Sequence, residues 1–451
     1  MRLLINGTTL LFDKFVLQKS NGKCLKRFCS HMGIAYIKLA QILAMQNING
    51  LFTAEDRNDI LHIVDDCNRV PFSYVDKILR KEFGEKYKSI IKKINHKPEG
   101  SASVSQVHAA ILTTGEKVVF KVKRQDIDKT VRKDIRNIKI IIRLFGKLLG
   151  FTNYIGSNMA LDMYADWIMQ ELDFKHEVQN ILEYKRFADS VNGKLPDCTN
   201  ILVPKVYKEY CTENVVCMEY IPYPTVSKLE FTSETKERVI AAGCSYIKLS
   251  FYALLNNQKV VFHGDPHTGN IYIDDEGNIG FLDFGLVFSL TPADSSKTRD
   301  LFFMTYFGEY DKLFKTLKPA LHTDKDKTEE FKEEVKTYCE CLKSKPITSY
   351  FMDLCVICFR YDITPDSYLF NMAKAFVCLG GIDTVYENSI TAHYLLDSMV
   401  LEYLYTQTLS SMRKLSRNNM KALCSVLLGD KRKFFDTIAD SVSVLSKLIE
   451  I

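Results

Sequence analysis

The stretch of sequence that decides the fold is His263–Asn270, which reads His-Gly-Asp-Pro-His-Thr-Gly-Asn. The tripeptide Asp283-Phe284-Gly285 follows it, with Asp283 thirteen residues after the asparagine. Short apolar runs flank both polar segments at 260–262, 271–273 and 279–282, and such runs between turn residues are typical of strands. The polar residues therefore belong to a hairpin of short strands.

Three polar residues of this hairpin are spaced like the site residues of kinase-like folds. Asp265 and Asn270 stand five residues apart, and with Asp283 they match a catalytic aspartate, a metal-binding asparagine and a metal-binding aspartate around ATP. Asp265 would orient or deprotonate the acceptor, while Asn270 and Asp283 would hold the Mg²⁺ that neutralises charge on the phosphates. A polar hairpin without chemistry is the alternative, but the full set in this order favours a kinase-like site.

Length and composition are those of an ordinary globular protein. The chain has 451 residues, 46% of them hydrophobic and 25% charged, which is enough for a large core divided into two lobes or a few packed subdomains. The net charge is only +5, and no cluster of Lys and Arg has aromatic residues between its members. We therefore expect no nucleic-acid binding.

The chain contains thirteen cysteines but no clear signal peptide. Free thiols in a reducing, intracellular compartment are the expectation, and an excess of basic residues before residue 38 leaves an organellar location open. Cys339, Cys341, Cys355 and Cys358 could be four zinc ligands, but they lie in helix-like sequence without turns, which favours core thiols over zinc. No apolar run of about 18 residues appears, so no membrane-spanning helix is expected.

The pattern of helices and strands along the chain predicts an α+β, bilobal protein-kinase-like fold. A helical N-terminal extension is predicted over residues 1–95, an N-lobe over 96–222 and a mostly helical C-lobe over 223–451. The predicted elements are the strands Gln106–Leu112, Glu116–Lys123, Val203–Tyr207 and Val215–Ile221, and the helices Arg124–Leu149, Leu161–Ala188 and 231–256.

A kinase-like site also needs a strand lysine for the phosphates and a helical acid to orient that lysine. Lys121 follows the apolar residues 118–120 on a predicted strand, as such a lysine does. The helix predicted over 161–188 supplies Glu171, Asp173 and Glu177. Asp173 and Glu177 are four residues apart and share a helical face, whereas Glu171 and Asp173 point nearly opposite ways, so one helix could serve two cations. An exposed lysine and solvated acids are the alternatives.

Several motifs resemble the UbiB family of atypical, protein-kinase-like proteins, also called the ADCK or aarF-domain group. Together these motifs cover roughly residues 30–390 in the family's order. They are Tyr36–Ile42, similar to the KxGQ signature; Gly100–His108, similar to the alanine-rich loop; Gln170–Glu177, similar to the ExD helix; Phe262–Ile271, similar to the FHxDPHPGNI loop; and Ala373–Gly381, like a C-terminal helix.

The resemblance implies a role for each matching residue. Lys121 would contact the phosphates and pair with Glu177, and Asp265, Asn270 and Asp283 would keep the roles given above. The loop Gly100, Ser101, Ala102 and Ser103 would cover the nucleotide, and the hinge Glu219, Tyr220 and Ile221 would bind adenine through backbone groups. Lys38 and Gln41 of the extension would pack against the site, with Lys38 facing Glu171 and Asp173, and would close the groove in which protein kinases bind a peptide.

Two positions depart from the family's pattern. The glycine of KxGQ is Ala40 here, and because alanine is the better helix former we expect the roles of Lys38 and Gln41 to persist. The alanine-rich loop begins with Gly100 and Ser101, which frees the backbone and adds a hydroxyl, as in an ordinary glycine-rich loop. The departures bear on nucleotide preference and ATPase activity.

The resemblance implies an ATP- and Mg²⁺-dependent kinase or ATPase that supports ubiquinone or other prenyl-lipid metabolism at a membrane. The segment Ile138–Leu149 is apolar with spaced cations, which suits either an interfacial amphipathic helix or a helix packed between lobes. A small-molecule kinase of the aminoglycoside or choline type is an alternative, since Gly264 matches its loop. A nucleotide-gated pseudokinase scaffold is another.

Overall fold

The computed structural model describes residues 21–37, 39–40, 53, 56, 69–101, 104–145, 165–166, 168–230, 232–266, 268–306, 309–317, 325–341, 350–361 and 363. Its strands are β1 (Ile91–Ile94), β2 (Gly100–Ser101), β3 (Ser105–Leu112), β4 (Lys117–Lys123), β5 (Ile201–Leu202), β6 (Val215–Glu219), β7 (Val260–His263), β8 (Ile271–Ile273), β9 (Ile279–Phe281) and β10 (Val287–Leu290). Its helices are α1 (Asn21–Met32), α2 (Phe72–Phe83), α3 (Tyr87–Ile90), α4 (Ile127–Phe145), α5 (Phe174–Val191), α6 (Ser233–Leu255), α7 (Pro292–Tyr306), α8 (Tyr310–Leu317), α9 (Lys325–Cys341) and α10 (Tyr350–Arg360).

The N-lobe is built on an antiparallel sheet in the order β1-β3-β4-β6, with β2 paired to β3. The predicted hairpin between β3 and β4 is confirmed, and Gly115 makes its turn with a φ of 104°, a conformation that glycine adopts without steric cost. Lys121 lies opposite Val107 on β3 and Val216 on β6. The sheet therefore holds this lysine on a central strand.

Helices α2 and α3 cover one face of this sheet. Val75 and Leu79 of α2 are fully buried against residues of β3, β4 and β6, including Phe120. Residues 91–94, for which the sequence predicted helix, form the edge strand β1 instead. The helical prediction was wrong here because Ile91 and Ile94 gain pairing partners on β3, a contact between distant residues that local periodicity does not report.

The single helix predicted over 161–188 is interrupted just before α5. Asp173 is the N-cap of α5, and its carboxylate accepts a hydrogen bond of 3.0 Å from the amide of His176, as capping aspartates do. Glu171 lies in the preceding turn. Asp173 and Glu177 therefore do not share the face of one continuous helix, and that prediction was wrong because aspartate is a better cap than an interior helical residue.

The C-lobe contains two small sheets beside a helical core. Strands β7 and β10 pair antiparallel, and β8 and β9 form a hairpin that β5 joins in parallel. The strand predicted over Val203–Tyr207 was wrong: only Val206 bridges to β6, at Met218. Pro204 explains the interruption because it has no amide hydrogen to give to a sheet.

Helix α6 is the one helix, among the described residues, that is long and apolar enough to cross a membrane by length and composition. It is mostly buried in the C-lobe core, where Tyr246, Leu249 and Leu254 are almost fully enclosed. Core helices of globular proteins pass the same test, so the burial accounts for its apolar sequence.

The last described helices pack against each other and enclose three of the four cysteines weighed above. Cys339 on α9 and Cys355 and Cys358 on α10 are buried in the apolar core, whereas Cys341 is exposed. Burial raises the pKa of Cys339 to about 11 and that of Cys358 to about 12. Thiols held protonated in this way suit core packing better than metal ligation, which needs thiolates.

The N-terminal extension packs against the N-lobe beside the cleft. Tyr36, Ile37 and Ala40 share a buried apolar cluster with Val104, which lies within the segment Gly100–His108, and with Leu172, which precedes α5. Helix α4 contributes the opposite wall of the cluster. The extension therefore contacts both segments that border the cleft. The boundaries drawn at residues 95 and 222 stay predictions.

Candidate active site

The side chain of Lys121 is held between two carboxylates from different parts of the chain. Its Nζ lies 2.7 Å from Oε1 of Glu177 on α5 and 3.0 Å from Oδ1 of Asp283 in the C-lobe. The side chains of Lys121 and Glu177 are 4% and 1% exposed, whereas that of Asp283 is 37% exposed. The sequence placed these three residues in one site, and the structure brings them together, with Asp283 the most exposed of the three.

Electrostatics keep Lys121 and Asp283 charged. Burial alone would lower the pKa of Lys121, but the charges of Asp283 and Glu177 outweigh it and raise that pKa above its usual value. Burial would raise the pKa of Asp283, but the charge of Lys121 and the amide of Gly285 hold it well below its usual range. Burial raises the pKa of Glu177, against the opposing charge of Lys121. Glu177 is therefore the member whose ionisation depends most on its partner.

An aromatic ring lies next to the ammonium group of Lys121, a contact that the sequence did not reveal. The ring of Phe174, the first residue of α5, lies 5.5 Å from Nζ of Lys121 and 5.1 Å from Nζ of Lys123. Both distances fall within the range of cation–π attraction. Lys121 and Lys123 are two residues apart on β4, and residues two apart on a strand point to the same face. This spacing was the signal from which their shared neighbour could have been sought.

Helix α5 also contacts the tripeptide that contains Asp283. Oε1 of Glu177 accepts a 3.4 Å hydrogen bond from the amide of Phe284, and Nδ2 of Asn180 donates a 2.8 Å bond to the carbonyl of Phe284. Asn180 is 5% exposed. Its spacing of three residues from Glu177, which puts both side chains on one face of a helix, could have been found from the sequence.

His263 connects the segments of Asp265 and Asp283. Its Nδ1 accepts a 3.2 Å hydrogen bond from the amide of Asp265, so the ring proton is on Nε2, which donates to the carbonyl of Asp283. The ring is buried and stacks on Phe281 at 4.6 Å between centroids. His263 was quoted in the motif but given no role, and its function here is to fix the two aspartate-bearing loops at a constant separation.

Asn270 faces the same loop from its other end. The side-chain Nδ2 of Asn270 donates a 3.2 Å hydrogen bond to the backbone carbonyl of Asp265. The backbone carbonyl of Asn270 accepts a 2.9 Å hydrogen bond from the amide of Leu282. Because Nδ2 is used in this way, Oδ1 is the atom that a metal ion would meet. Asp265, Asn270 and Asp283 are all partly accessible to solvent. The structure thus connects the segments of these three partly accessible residues through His263 and Asn270.

Gly264 is required by close packing behind Asp265. A Cβ atom built on it would lie 2.6 Å from Cγ of Leu286 and 2.7 Å from Cε2 of Phe288. We expect Gly264→Ala to lower the free energy of unfolding by about 1–3 kcal/mol through overpacking. Chemical denaturation measures this effect, with Gly100→Ala as the matched control, because a Cβ at Gly100 meets nothing within 4 Å. Equal stability of the two variants would contradict the prediction.

The loop that follows Gly100 is tied down at its first residues, while Ala102 and Ser103 lie outside the described residues. Ser101 accepts a 2.9 Å hydrogen bond from the guanidinium of Arg124 and pairs with Gln106 across β2 and β3. Gln106 is itself buried, and its side chain bonds both backbone groups of Val70. The predicted nucleotide loop therefore starts from a fixed base.

The predicted hinge lies between β6 and the C-lobe. The amide of Glu219 donates a 2.8 Å hydrogen bond to the carbonyl of Lys205, and the amide of Tyr220 donates a 3.1 Å bond to the carbonyl of Lys117. Both amides are thus used within the protein. Adenine would have to bind the carbonyl groups of this segment or the amide of Ile221. Fewer backbone groups are thus left for adenine than the sequence suggested.

The acids assigned to the extension take different places. Asp173 caps α5, as described above, and Glu171 adjoins the tripeptide 283–285: a Cβ on Gly285 would lie 3.7 Å from Cα of Glu171. Lys38 and Gln41 fall outside the described residues, although their neighbours Ile37 and Ala40 are buried beside Leu172. The facing of Lys38 toward Glu171 and Asp173 stays a prediction.

Comparison with known proteins agrees with this geometry. A model of the ABC1 atypical kinase-like domain matches residues 62–317, more than half of the chain. The chloroplastic "Protein ACTIVITY OF BC1 COMPLEX KINASE 7" of Arabidopsis thaliana is 27% identical over 309 residues, which cover 66% of this chain and 41% of that protein. A "Probable protein kinase UbiB" of Pseudomonas paraeruginosa is 26% identical over 341 residues, covering 73% and 61%.

Among solved structures, the complex of Rv3197 with erythromycin from Mycobacterium tuberculosis aligns with a TM-score of 0.47 and 18% identity, covering 86% of this chain and 96% of that one. The chain spans about two fifths to three fifths of the length of the curated relatives described above. The α+β architecture, the buried Lys121–Glu177 pair and the extent of the family match agree. The chain belongs to the ABC1 atypical kinase-like family, with relatives named UbiB among its similar proteins.

Proposed function

We propose that this chain binds ATP with Mg²⁺ between its lobes and acts as an atypical kinase or ATPase of UbiB type. The observation that carries the proposal is the position of Lys121, whose ammonium lies 2.7 Å from Glu177 and 3.0 Å from Asp283. An ammonium has three donors, so two contacts leave one for a phosphate oxygen. The lysine thus stands where a phosphate group would meet both lobes.

The donor set fits Mg²⁺ held jointly with phosphates. Asp283 offers a carboxylate whose depressed pKa keeps it ionised, and Asn270 offers the amide oxygen left by its bond to Asp265. Within the described ranges, no group of three or more His, Cys, Asp or Glu could hold a metal ion by itself. Magnesium commonly uses one or two carboxylates plus substrate phosphates, and when bound it would neutralise charge on the transferred group.

The remaining residues would orient the reactants. The backbone of Asp265 is fixed by the hydrogen bond from its amide to His263. Its carboxylate would accept or direct the proton of the attacking hydroxyl or water. The backbone of residues 219–221 would hold adenine, and the loop at 100–103 would cover the phosphates. Each role depends on a fixed separation between loops, which His263 and α5 supply.

The extension would decide which acceptors enter. It packs against Val104 and Leu172, which adjoin the nucleotide loop and α5, and a peptide substrate would need the same space. We therefore favour ATP hydrolysis or transfer to a small acceptor over transfer to a protein. A nucleotide-gated scaffold without turnover keeps the same contacts, and the experiment below separates the three.

A role in ubiquinone or other prenyl-lipid metabolism, in an organelle or at a membrane, is the finer part of the proposal. It is supported by relatives that bear the name UbiB or are chloroplastic. In α4, Ile140 is 48% exposed between basic residues such as Arg136 and Arg143. An exposed apolar residue among cations suits the surface of an anionic membrane.

Purified protein incubated with Mg²⁺ and ATP tests the function. ADP release is measured alone and with added protein, amino alcohols or lipid vesicles, and acceptors are checked for phosphate. Release without a phosphorylated acceptor supports the ATPase assignment, and a phosphorylated small molecule would replace it with a small-molecule kinase. Nucleotide binding without turnover under every condition would leave the scaffold.

A variant of the extension tests whether it closes the groove. If Lys38 faces Glu171 and Asp173, Lys38→Ala should loosen the extension and raise phosphorylation of the protein or of an added peptide, by about tenfold if one charge-assisted contact is lost. Phosphate incorporation is the measurement, with Lys23→Ala, an exposed lysine of α1, as the control. Kinetics identical to those of the parent would count against the role of Lys38.

A further inference from the structure

One peptide group lies between α5 and the carboxylate of Asp283. Its carbonyl, from Phe284, accepts the 2.8 Å hydrogen bond from Nδ2 of Asn180. Its amide, from Gly285, donates a 2.9 Å hydrogen bond to Oδ1 of Asp283. Because the peptide group is planar and rigid, a side chain that fixes its carbonyl also fixes the direction of its N–H.

The contact requires a donor at position 180. A carbonyl oxygen only accepts hydrogen bonds, so the NH₂ group of the Asn180 amide must face Phe284. Asn180 is 5% exposed, and water is therefore a poor substitute for that NH₂ group. The backbone amide of Phe284 donates a 3.4 Å hydrogen bond to Oε1 of Glu177. Side chains of α5 therefore bond both the amide and the carbonyl of Phe284.

The same oxygen of Asp283 also contacts Lys121, at 3.0 Å. Rotation of the peptide group between Phe284 and Gly285 would break the hydrogen bond from the Gly285 amide to Oδ1 of Asp283. The contact with Lys121 would then be left to orient the carboxylate. A Cβ at position 285 would lie 3.3 Å from Oδ1 of Asp283, a tight contact that would displace the carboxylate by a few tenths of an ångström. The orientation of the carboxylate thus depends on the peptide group and on what holds it.

We propose that Asn180 is a positioning residue for the metal-binding carboxylate of Asp283, acting through the peptide group that joins Phe284 to Gly285. It does not touch nucleotide or metal. With Oδ1 of Asp283 engaged by the Gly285 amide and by Lys121, Oδ2 would be the oxygen left for the metal, and Oδ1 of Asn270 would be the second protein ligand. The inference rests on the proposed function, because it takes Asp283 to be a metal ligand.

The test compares Asn180 of α5 with Asn192, the residue that caps the C-terminus of the same helix. Asn180→Asp keeps the shape but replaces the donor with an oxygen that repels the Phe284 carbonyl, and Asn180→Leu removes both polar atoms. Asn192→Asp is the matched control, since Asn192 at the far end of α5 donates a 3.0 Å bond to the carbonyl of Ile201. This control loses an equivalent donor away from the cleft.

Two measurements are made on each protein. Calorimetry gives the affinity for a non-hydrolysable ATP analogue at increasing Mg²⁺, and hydrogen–deuterium exchange follows the Gly285 amide without nucleotide or metal. For Asn180→Asp we expect about a tenfold rise in half-saturating Mg²⁺ and about tenfold faster exchange, with metal-free affinity unchanged. Asn192→Asp should lower the melting temperature comparably and change neither quantity.

The outcomes separate this inference from the proposed function. Unchanged Mg²⁺ dependence and unchanged exchange in a folded Asn180→Asp or Asn180→Leu protein would overturn the inference. Equal losses of affinity with and without Mg²⁺ would also overturn it, because they would indicate a general structural role. If the parent binds the analogue without any dependence on Mg²⁺, the proposed function fails, and the metal role of Asn180 fails with it. Hydrogen–deuterium exchange of the Gly285 amide would then test only whether Asn180 fixes the peptide group that joins Phe284 to Gly285.

Discussion

Asp283→Asn is expected to abolish ATP turnover, by about 100- to 1,000-fold or more, in a protein that still folds. The amide oxygen of the new side chain can still accept the bond from the amide of Gly285, which is 2.9 Å from Oδ1 in the parent. It cannot supply the negative charge that balances Mg²⁺, and single electrostatic groups in active sites are worth rate factors of this size. ADP release at saturating Mg²⁺ and ATP measures the effect.

The matched control is Asp275→Asn, an exposed aspartate in the turn between β8 and β9. It makes the same chemical change on the same hairpin, away from Lys121. We expect it to retain the turnover of the parent. Substantial activity in the Asp283→Asn protein would contradict the proposed role of Asp283 as a metal ligand.

Lys121→Met should have the largest effect on stability. It leaves Glu177, whose side chain is 1% exposed, without the cation 2.7 Å away and beside the carboxylate of Asp283. Breaking a buried ion pair by removing one partner costs about 3–5 kcal/mol. We expect a loss of that order near pH 8, together with loss of ATP turnover.

The pH dependence of this loss identifies its cause. Burial already raises the pKa of Glu177, and removal of Lys121 takes away the charge that opposes the rise. The folded variant then binds a proton that the unfolded chain releases above about pH 4, so its free energy of unfolding falls as pH rises through the raised pKa. In the parent, the depressed pKa of Asp283 acts oppositely, since that contribution is lost as pH falls.

Chemical denaturation at pH 5 and pH 8 measures this difference. The Lys121→Met protein should lie closer to the parent at pH 5 than at pH 8. Lys123→Met is the control, because Lys123 also lies over Phe174 but its carboxylate partner is Asp128, at 3.6 Å. A loss that is the same at both pH values would mean that protonation of Glu177 does not occur.

Much of the site could be predicted because its residues follow local patterns. Lys121 was found because it follows the apolar run 118–120 of a predicted strand, and Asp265, Asn270 and Asp283 were found from a fixed spacing within one hairpin. The predicted helix supplied Glu177 as one of three acids, and the family resemblance selected it as the partner of Lys121. In each case the evidence lies within a few residues of the side chain, where period and turn chemistry are informative.

What the sequence did not reveal depends on contacts between distant segments. Asn180 looks like an ordinary polar helical residue until Phe284 is placed beside it, and β1 looks helical until β3 supplies its partner. The helix end at Asp173 is different, because the aspartate before an apolar residue was a readable cap. Continuity of apolar spacing through 161–188 outweighed that signal in the prediction.

The short strand β5 has a mechanical consequence. It pairs with β9 in the C-lobe, yet Val206, four residues later, bridges to Met218 in the N-lobe sheet. The chain therefore passes between the lobes three times: once between β4 and β5, again at 203–205, and again at 220–224. Several connections between two bodies restrict their relative twisting and sliding, so this routing of the chain should help to keep Nζ of Lys121 within 3.0 Å of Oδ1 of Asp283.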